Sequence, residues 1–228
     1  NNWPSIPIAA NIGRSSKVSN AESPNDYSST LGILWDYADM FVLNVSSPNT
    51  PNLRELQNKS YLELILKDCM RIRESKNEFK PILLKLSPDR INEQILDSVD
   101  SAISLGIDGF VATNTTIKKP IPLSLQSRRV LSEEGGLSGR PLHERSLEVI
   151  NLIYSHTNGK HPIIGVGGIE STETAWSSIT SGASLLQLYS SLVFKGPSVI
   201  SSIVKGIKKK RIEEGFSNIS EAIGYNTK

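Results

Sequence analysis

Asp39-Met-Phe-Val-Leu-Asn-Val-Ser-Ser-Pro-Asn-Thr-Pro-Asn-Leu-Arg-Glu-Leu-Gln57 decides how the rest of the chain is read. Met40 to Val45 is a short apolar, β-branched run of the kind that forms a buried parallel strand, and it ends abruptly in small polar groups. Asn44 and Asn49 each offer an amide donor and acceptor, Ser46 and Ser47 offer hydroxyls, and Pro48 forbids the strand to continue. Several hydrogen-bonding groups are thereby held on a stiff turn, which is the layout of a small-molecule site. Ser-Pro-Asn by itself reads as an ordinary turn at a strand end; the length of the string is what argues for more.

Working outward, apolar runs that read as strands recur at Ile6 to Ala10, Met40 to Val45, Ile82 to Leu86, Gly109 to Ala112, Ile163 to Val166 and Leu185 to Leu188. Most are followed by a segment of helical periodicity. Ser28 to Tyr37 places Leu31, Leu34 and Trp35 on one face; Tyr61 to Arg73, Ile95 to Ile103, Leu147 to Tyr154, Thr172 to Ile179 and Val199 to Ile212 supply the others. Gly106 and Asn158-Gly159 read as helix-terminating residues. Strands alternating with helical crossovers predict a parallel sheet. Each predicted strand ends in polar, glycine or hydroxyl residues: Asn11, Asn44, Lys85, Thr113-Asn114-Thr115, Gly167-Gly168 and Tyr189-Ser190. Chemistry spread over the C-terminal ends of many strands favours a (β/α)8 TIM barrel, whereas an open doubly wound sheet gathers its ligand groups at one switch point. Six strands are visible where eight are needed.

Composition narrows the function classes. At 38% hydrophobic residues the chain can bury one substantial core, read as a single domain over residues 1–228, and a net charge of +2 argues against a nucleic-acid partner. The basic run Lys208-Lys-Lys-Arg211 reads as a solvated helix face, with an anionic partner as the alternative. Cys69 stands at helical spacing with Leu62, Ile65 and Ile72, so it is expected in the core and not as a nucleophile. His143, His156 and His161 have no metal-ligand spacing, so no metal is expected. No targeting segment or bilayer-spanning stretch is read in the chain.

Two further groups carry chemistry. Lys85 interrupts the apolar run of Pro81-Ile-Leu-Leu-Lys-Leu-Ser-Pro88, a costly place for a charge unless an anion or hydrogen-bonding cofactor meets it; the alternative is a strand-end lysine reaching solvent. Gly135-Gly-Leu-Ser-Gly139, Gly165-Val-Gly-Gly168 and Tyr189-Ser190 together read as a phosphate cradle, because glycines let backbone N–H groups approach a phosphate after the last barrel strands. Thr113-Asn-Thr-Thr116 alone reads as a capping or turn cluster, and its place directly after Gly109 to Ala112 brings it into the candidate site.

The string Asn44 to Gln57 closely resembles the signature of the class 2, quinone-linked dihydroorotate dehydrogenases, with Asn52 where that family more often has glycine. The resemblance implies an N-terminally shortened barrel, covering roughly the last two thirds of such an enzyme, that oxidises dihydroorotate to orotate in pyrimidine synthesis. It implies Ser47 as catalytic base, FMN held by Asn11, Asn44, Lys85, Thr113, Gly139, Gly168, Tyr189 and Ser190, and substrate held by Asn44, Asn49, Asn114 and Thr115. Quinone and peripheral membrane attachment would belong to an N-terminal region not in this chain. A serine is a poor base near neutrality, and no histidine or carboxylate adjoins Ser47, so the proton is expected to leave through ordered water. Two other readings stay open: another flavin barrel, such as a dihydropyrimidine dehydrogenase domain or a class 1 enzyme, where cysteine usually replaces Ser47, and a non-catalytic truncated barrel.

Overall fold

The computed structural model describes residues 4–122 and 124–227; the opening Asn1-Asn-Trp falls outside them. The chain forms two compact units: Asn1–Leu86 with Ile91–Val111, and Ser87–Arg90 with Ala112–Lys228.

The first unit is built on the strand order β1 (Ala9–Gly13), β2 (Met40–Asn44), β3 (Ile82–Leu86), β4 (Gly109–Ala112). Between them run α1 (Ser23–Leu34), α2 (Lys59–Glu74) and α3 (Asn92–Ser104). β1 pairs with β2, and β2 with β3, in parallel. Phe41, Leu43, Ile82, Leu84 and Phe110 are fully buried, as continuous apolar strands covered by helices require. Leu31, Leu62, Ile65 and Val99 on the helices are fully buried as well, and Trp35 stacks on Phe41 at 5.3 Å between ring centroids. Cys69 is fully buried on α2, and burial pushes its thiol pKa up to about 12, as expected of a core residue.

The second unit carries α4 (Leu125–Leu131), α5 (His143–Thr157), the parallel pair β5 (Ile163–Val166) and β6 (Leu185–Gln187), and α6 (Thr172–Thr180). After β6 come α7 (Ser190–Lys195), α8 (Ser198–Glu213) and α9 (Ile219–Ala222). Ile169, Ala175, Val199 and Ile203 form one apolar cluster, and Trp176, Ile179 and Ala222 another. α6 opens on a capping box in which Ser171 Oγ accepts from the Thr174 N–H.

Sequence and structure agree at β3, β4 and β5 and within a residue at β2 and β6. The first strand differs. It spans Ala9–Gly13 and not Ile6 to Ala10, so Asn11 lies inside the strand and not after it. Pro7 has no N–H to give a ladder, Ile6 is exposed, and the Ile8 N–H is taken by the Asp39 carboxylate at 2.6 Å. Pairing begins only where the Ile8 carbonyl accepts from Asp39 and Met40. α4, α7 and α9 are short helices that periodicity did not reveal.

Candidate active site

In the first unit the register decides the site. Gly13 is the partner of Asn44 and Asn44 of Lys85, while Asn11 is level with Val42 one layer earlier. Side chains in a strand alternate between faces, so Asn11, Asn44 and Lys85 share the face opposite the buried Ile12, Leu43 and Leu84. Lys85 is half-buried, and burial, the one cause of its shift, lowers the ammonium pKa from its ordinary value.

The corner after β2 is fastened from both sides. Asn44 Oδ1 accepts from the N–H and the hydroxyl of Ser46, each at 3.3 Å, an Asx-type turn that fixes the amide. The Asn44 carbonyl accepts from the hydroxyl of the fully buried Tyr27 at 2.9 Å. Ser47 is half-buried, and its Oγ accepts from the Asn49 N–H at 3.2 Å. Asn49 is exposed. Further along, Asn52 adopts a left-handed backbone with φ 57°, which asparagine tolerates better than most residues; that accounts for Asn at a position where glycine is the commoner choice. A 3-10 turn at Leu53–Gln57 then leads into α2.

The second unit gathers the remaining residues. The buried Thr113 donates its N–H to the Val166 carbonyl at the end of β5, at 2.8 Å. Asn114 Oδ1 accepts from the Thr115 N–H at 2.8 Å. Thr116 then anchors the loop twice: its hydroxyl donates to the Asp89 carboxylate, which also accepts from the Ile117 N–H at 2.9 Å, and its backbone bridges Leu137. Asp89 is itself held in place, since Arg145 donates to the carbonyls of Pro88 and Arg90, both at 2.9 Å.

Beyond Leu137 the chain reaches the glycines. Ser138 and Ser190 share a hydroxyl hydrogen bond of 2.8 Å, and a Cβ placed on Gly139 would lie 3.7 Å from Ser190. Gly168 has φ +66°, and a Cβ there would come within 2.7 Å of the His143 Cβ and 2.9 Å of the Gly139 carbonyl oxygen. Gly139, Gly168 and Ser190 thus form one tight backbone cluster. His143 closes its floor, with Nδ1 3.1 Å from the Gly167 carbonyl; a carbonyl only accepts, so Nδ1 carries the hydrogen. Tyr189 stands apart, with its side chain largely in solvent.

The structure therefore brings Asn11, Asn44, Ser47, Asn49 and Lys85 together in one unit. In the other it brings Thr113, Asn114 and Thr115, linked through Thr116 and Leu137, to Gly139, Gly168 and Ser190. Tyr27, Asp89, His143 and Arg145 were missed by sequence reasoning. Only Asp89 had a signal, a carboxylate right after the strand-ending Ser87-Pro88.

Six strand-helix units, with polar groups at the strand ends, define an α/β-barrel class of protein. Over residues 1–210 the chain matches the dihydroorotate dehydrogenase family. It is 44% identical to a dihydroorotate dehydrogenase (quinone) of Trichodesmium erythraeum, over 98% of this chain and 59% of that protein. A counterpart in Natronomonas pharaonis is 41% identical over 97% of this chain and 60% of that protein. Among solved structures, ligand-free dihydroorotate dehydrogenase from Eimeria tenella superposes with a TM-score of 0.86 at 32% identity, covering 94% of this chain and 63% of that one. The same enzyme in complex with ferulenol gives a TM-score of 0.87 at 32% identity, covering 96% and 61%. The chain belongs to the dihydroorotate dehydrogenase family, and its fold is a partial TIM barrel. It spans about 60% of the length of the curated relatives it matches.

Proposed function

We propose that this chain is the single FMN-binding barrel domain of a quinone-linked dihydroorotate dehydrogenase, oxidising dihydroorotate to orotate. The residues present fit FMN. Lys85 is a desolvated cation in register with an amide, suited to the electron-rich edge of a flavin ring. The cluster of Gly139, Gly168 and Ser190 has backbone so close-set that a Cβ at Gly168 would collide, the character of a cradle for phosphate. When bound, FMN supplies the acceptor for the two electrons that leave the substrate as hydride from C6.

Ser47 takes the proton from C5 of dihydroorotate, and the Asn49 N–H bonded to its Oγ stabilises the oxygen as it gains electron density. That proton then passes to water. Asn44, Asn49, Asn114 and Thr115 orient the ring, since an amide can donate to its carbonyls and carboxylate and accept from its N–H groups. Asn44 is suited to this because Ser46 already fixes its rotamer. Lys85 holds positive charge on the face it shares with Asn11 and Asn44, and Thr113, Ser190 and the backbone of Tyr189, whose side chain stays in solvent, complete the flavin contacts. Electrons leave for a quinone, and peripheral membrane association lies in the part of the relatives' length that this chain does not span.

The carrying observation is the Asn44–Lys85 register at the strand ends that lead directly into Ser47. The test is to purify the protein, measure bound FMN by absorbance, and add dihydroorotate without oxygen. Yellow protein bleached by dihydroorotate supports the reading; colourless protein that takes up no FMN contradicts it.

A further inference from the structure

Arg14 and Asn20 lie on the loop after β1, carry none of the roles assigned above, and both reach across to the loop that follows Ser47. Arg14 Nη1 donates to Asn20 Oδ1 at 2.7 Å, and Nη2 donates to the Pro51 carbonyl at 2.8 Å. Asn20 Nδ2 in turn donates to the Asn52 carbonyl at 3.1 Å and to the Glu55 carboxylate at 2.9 Å. Three bonds therefore tie the β1 loop to residues 51–55. A single side chain with planar, forked donors can hold a carbonyl and an amide oxygen at once; an ammonium is a point donor without that fixed geometry.

We infer that Arg14 is a positioning residue: with Asn20 it clamps the segment after Ser47 and Asn49, so that the hydroxyl and the amide are presented in one arrangement. This rests on the dihydroorotate reading for its catalytic consequence and not for the clamp itself. The segment lies outside the sheet: after β2 its backbone is held by the 3-10 turn at Leu53–Gln57 and by short turns such as Leu53 to Thr50, Glu55 to Asn52 and Asn58 to Glu55. A loop without strand pairing opens more easily than the strand before it unless side chains close it.

The experiment compares the FMN-loaded protein with Arg14→Ala, Arg14→Lys and Asn20→Ala by hydrogen exchange and by single-turnover flavin reduction. Arg14→Ala and Asn20→Ala are expected to speed amide exchange in residues 46–57 roughly tenfold or more, while β2 and α2 keep their protection. Flavin reduction by dihydroorotate slows by about 10- to 100-fold, the cost of an ångström-scale misplacement, with FMN content unchanged. Arg14→Lys recovers part of both losses, and the Arg14→Ala, Asn20→Ala double variant is no worse than the poorer single one, because the two residues form one clamp. Exchange in residues 46–57 left unchanged in both alanine variants overturns the clamp. Faster exchange with unchanged reduction overturns the positioning role. Absence of reduction in the unsubstituted protein contradicts the dihydroorotate reading instead, and the exchange comparison still decides the clamp.

Discussion

Asn44 and Lys85 are register partners on neighbouring parallel strands, an amide and a desolvated ammonium on one face at the same level of the sheet. Neither is where strand propensity would put it, since both interrupt runs that are otherwise apolar. A position that costs the fold stability and supplies no packing is where function is expected to override local preference.

That cost has a measurable sign. Burial holds the Lys85 pKa below its ordinary value of 10.5, so the folded chain binds this proton less tightly than the unfolded chain does. The penalty is complete below the lowered pKa and disappears as pH rises to the unfolded value, so Lys85 makes stability increase with alkalinity in that window. Lys85→Met removes it. In the FMN-free protein at neutral pH the variant is expected to melt at a higher temperature and to lose that alkaline gain. Its FMN occupancy falls at the same time, read from absorbance after gel filtration.

The two glycines of the cluster separate strain from collision. Both have positive φ, so alanine at either costs about 1–3 kcal/mol in backbone strain. Gly168→Ala adds a contact of 2.7 Å with His143 and 2.9 Å with the Gly139 carbonyl, whereas a Cβ at Gly139 finds ordinary van der Waals distances. Urea denaturation of the two variants should show Gly168→Ala the less stable, and its FMN affinity the more reduced.

Asp89 holds the loop that carries Asn114 and Thr115 by accepting from Thr116 and Ile117 at once. Asp89→Asn keeps one acceptor oxygen and turns the other into an NH2 donor, so the Thr116 hydroxyl and the Ile117 N–H no longer both find an acceptor. The expected result is a KM for dihydroorotate raised by roughly tenfold, with FMN content unchanged, measured by steady-state kinetics with an artificial electron acceptor.

Cys69 gives an internal control of folding. With its thiol pKa pushed up to about 12 and its side chain fully buried, it is expected to resist alkylation at mildly alkaline pH until the protein unfolds. Rapid labelling of the native protein, followed by mass spectrometry, would contradict the core assignment.

The strands were legible because their apolar runs are short and bounded by prolines, glycines and asparagines, and the glycine cluster because positive φ leaves a compositional mark. β1 was misplaced by three residues because Ile6 and Ile8 read as strand, while the pairing that fixes its start comes from Asp39, a residue thirty positions away. α7 hides in Ser190 to Lys195, too short to show periodicity. Tyr27 reads as a helix-face residue, and only the fold puts its hydroxyl on the Asn44 carbonyl. Arg145 likewise serves the loop around Asp89 from a helix more than fifty residues further along. Contacts made by side chains across long stretches of sequence leave no periodic trace.

The most direct measurement is anaerobic stopped-flow reduction of the FMN-loaded protein by dihydroorotate, comparing the unsubstituted chain with Ser47→Ala. With Ser47 as the base, the variant keeps its FMN and its melting temperature while the reduction rate falls by about 100-fold or more, the usual worth of a positioned base. Reduction at a near-normal rate in Ser47→Ala would contradict the account.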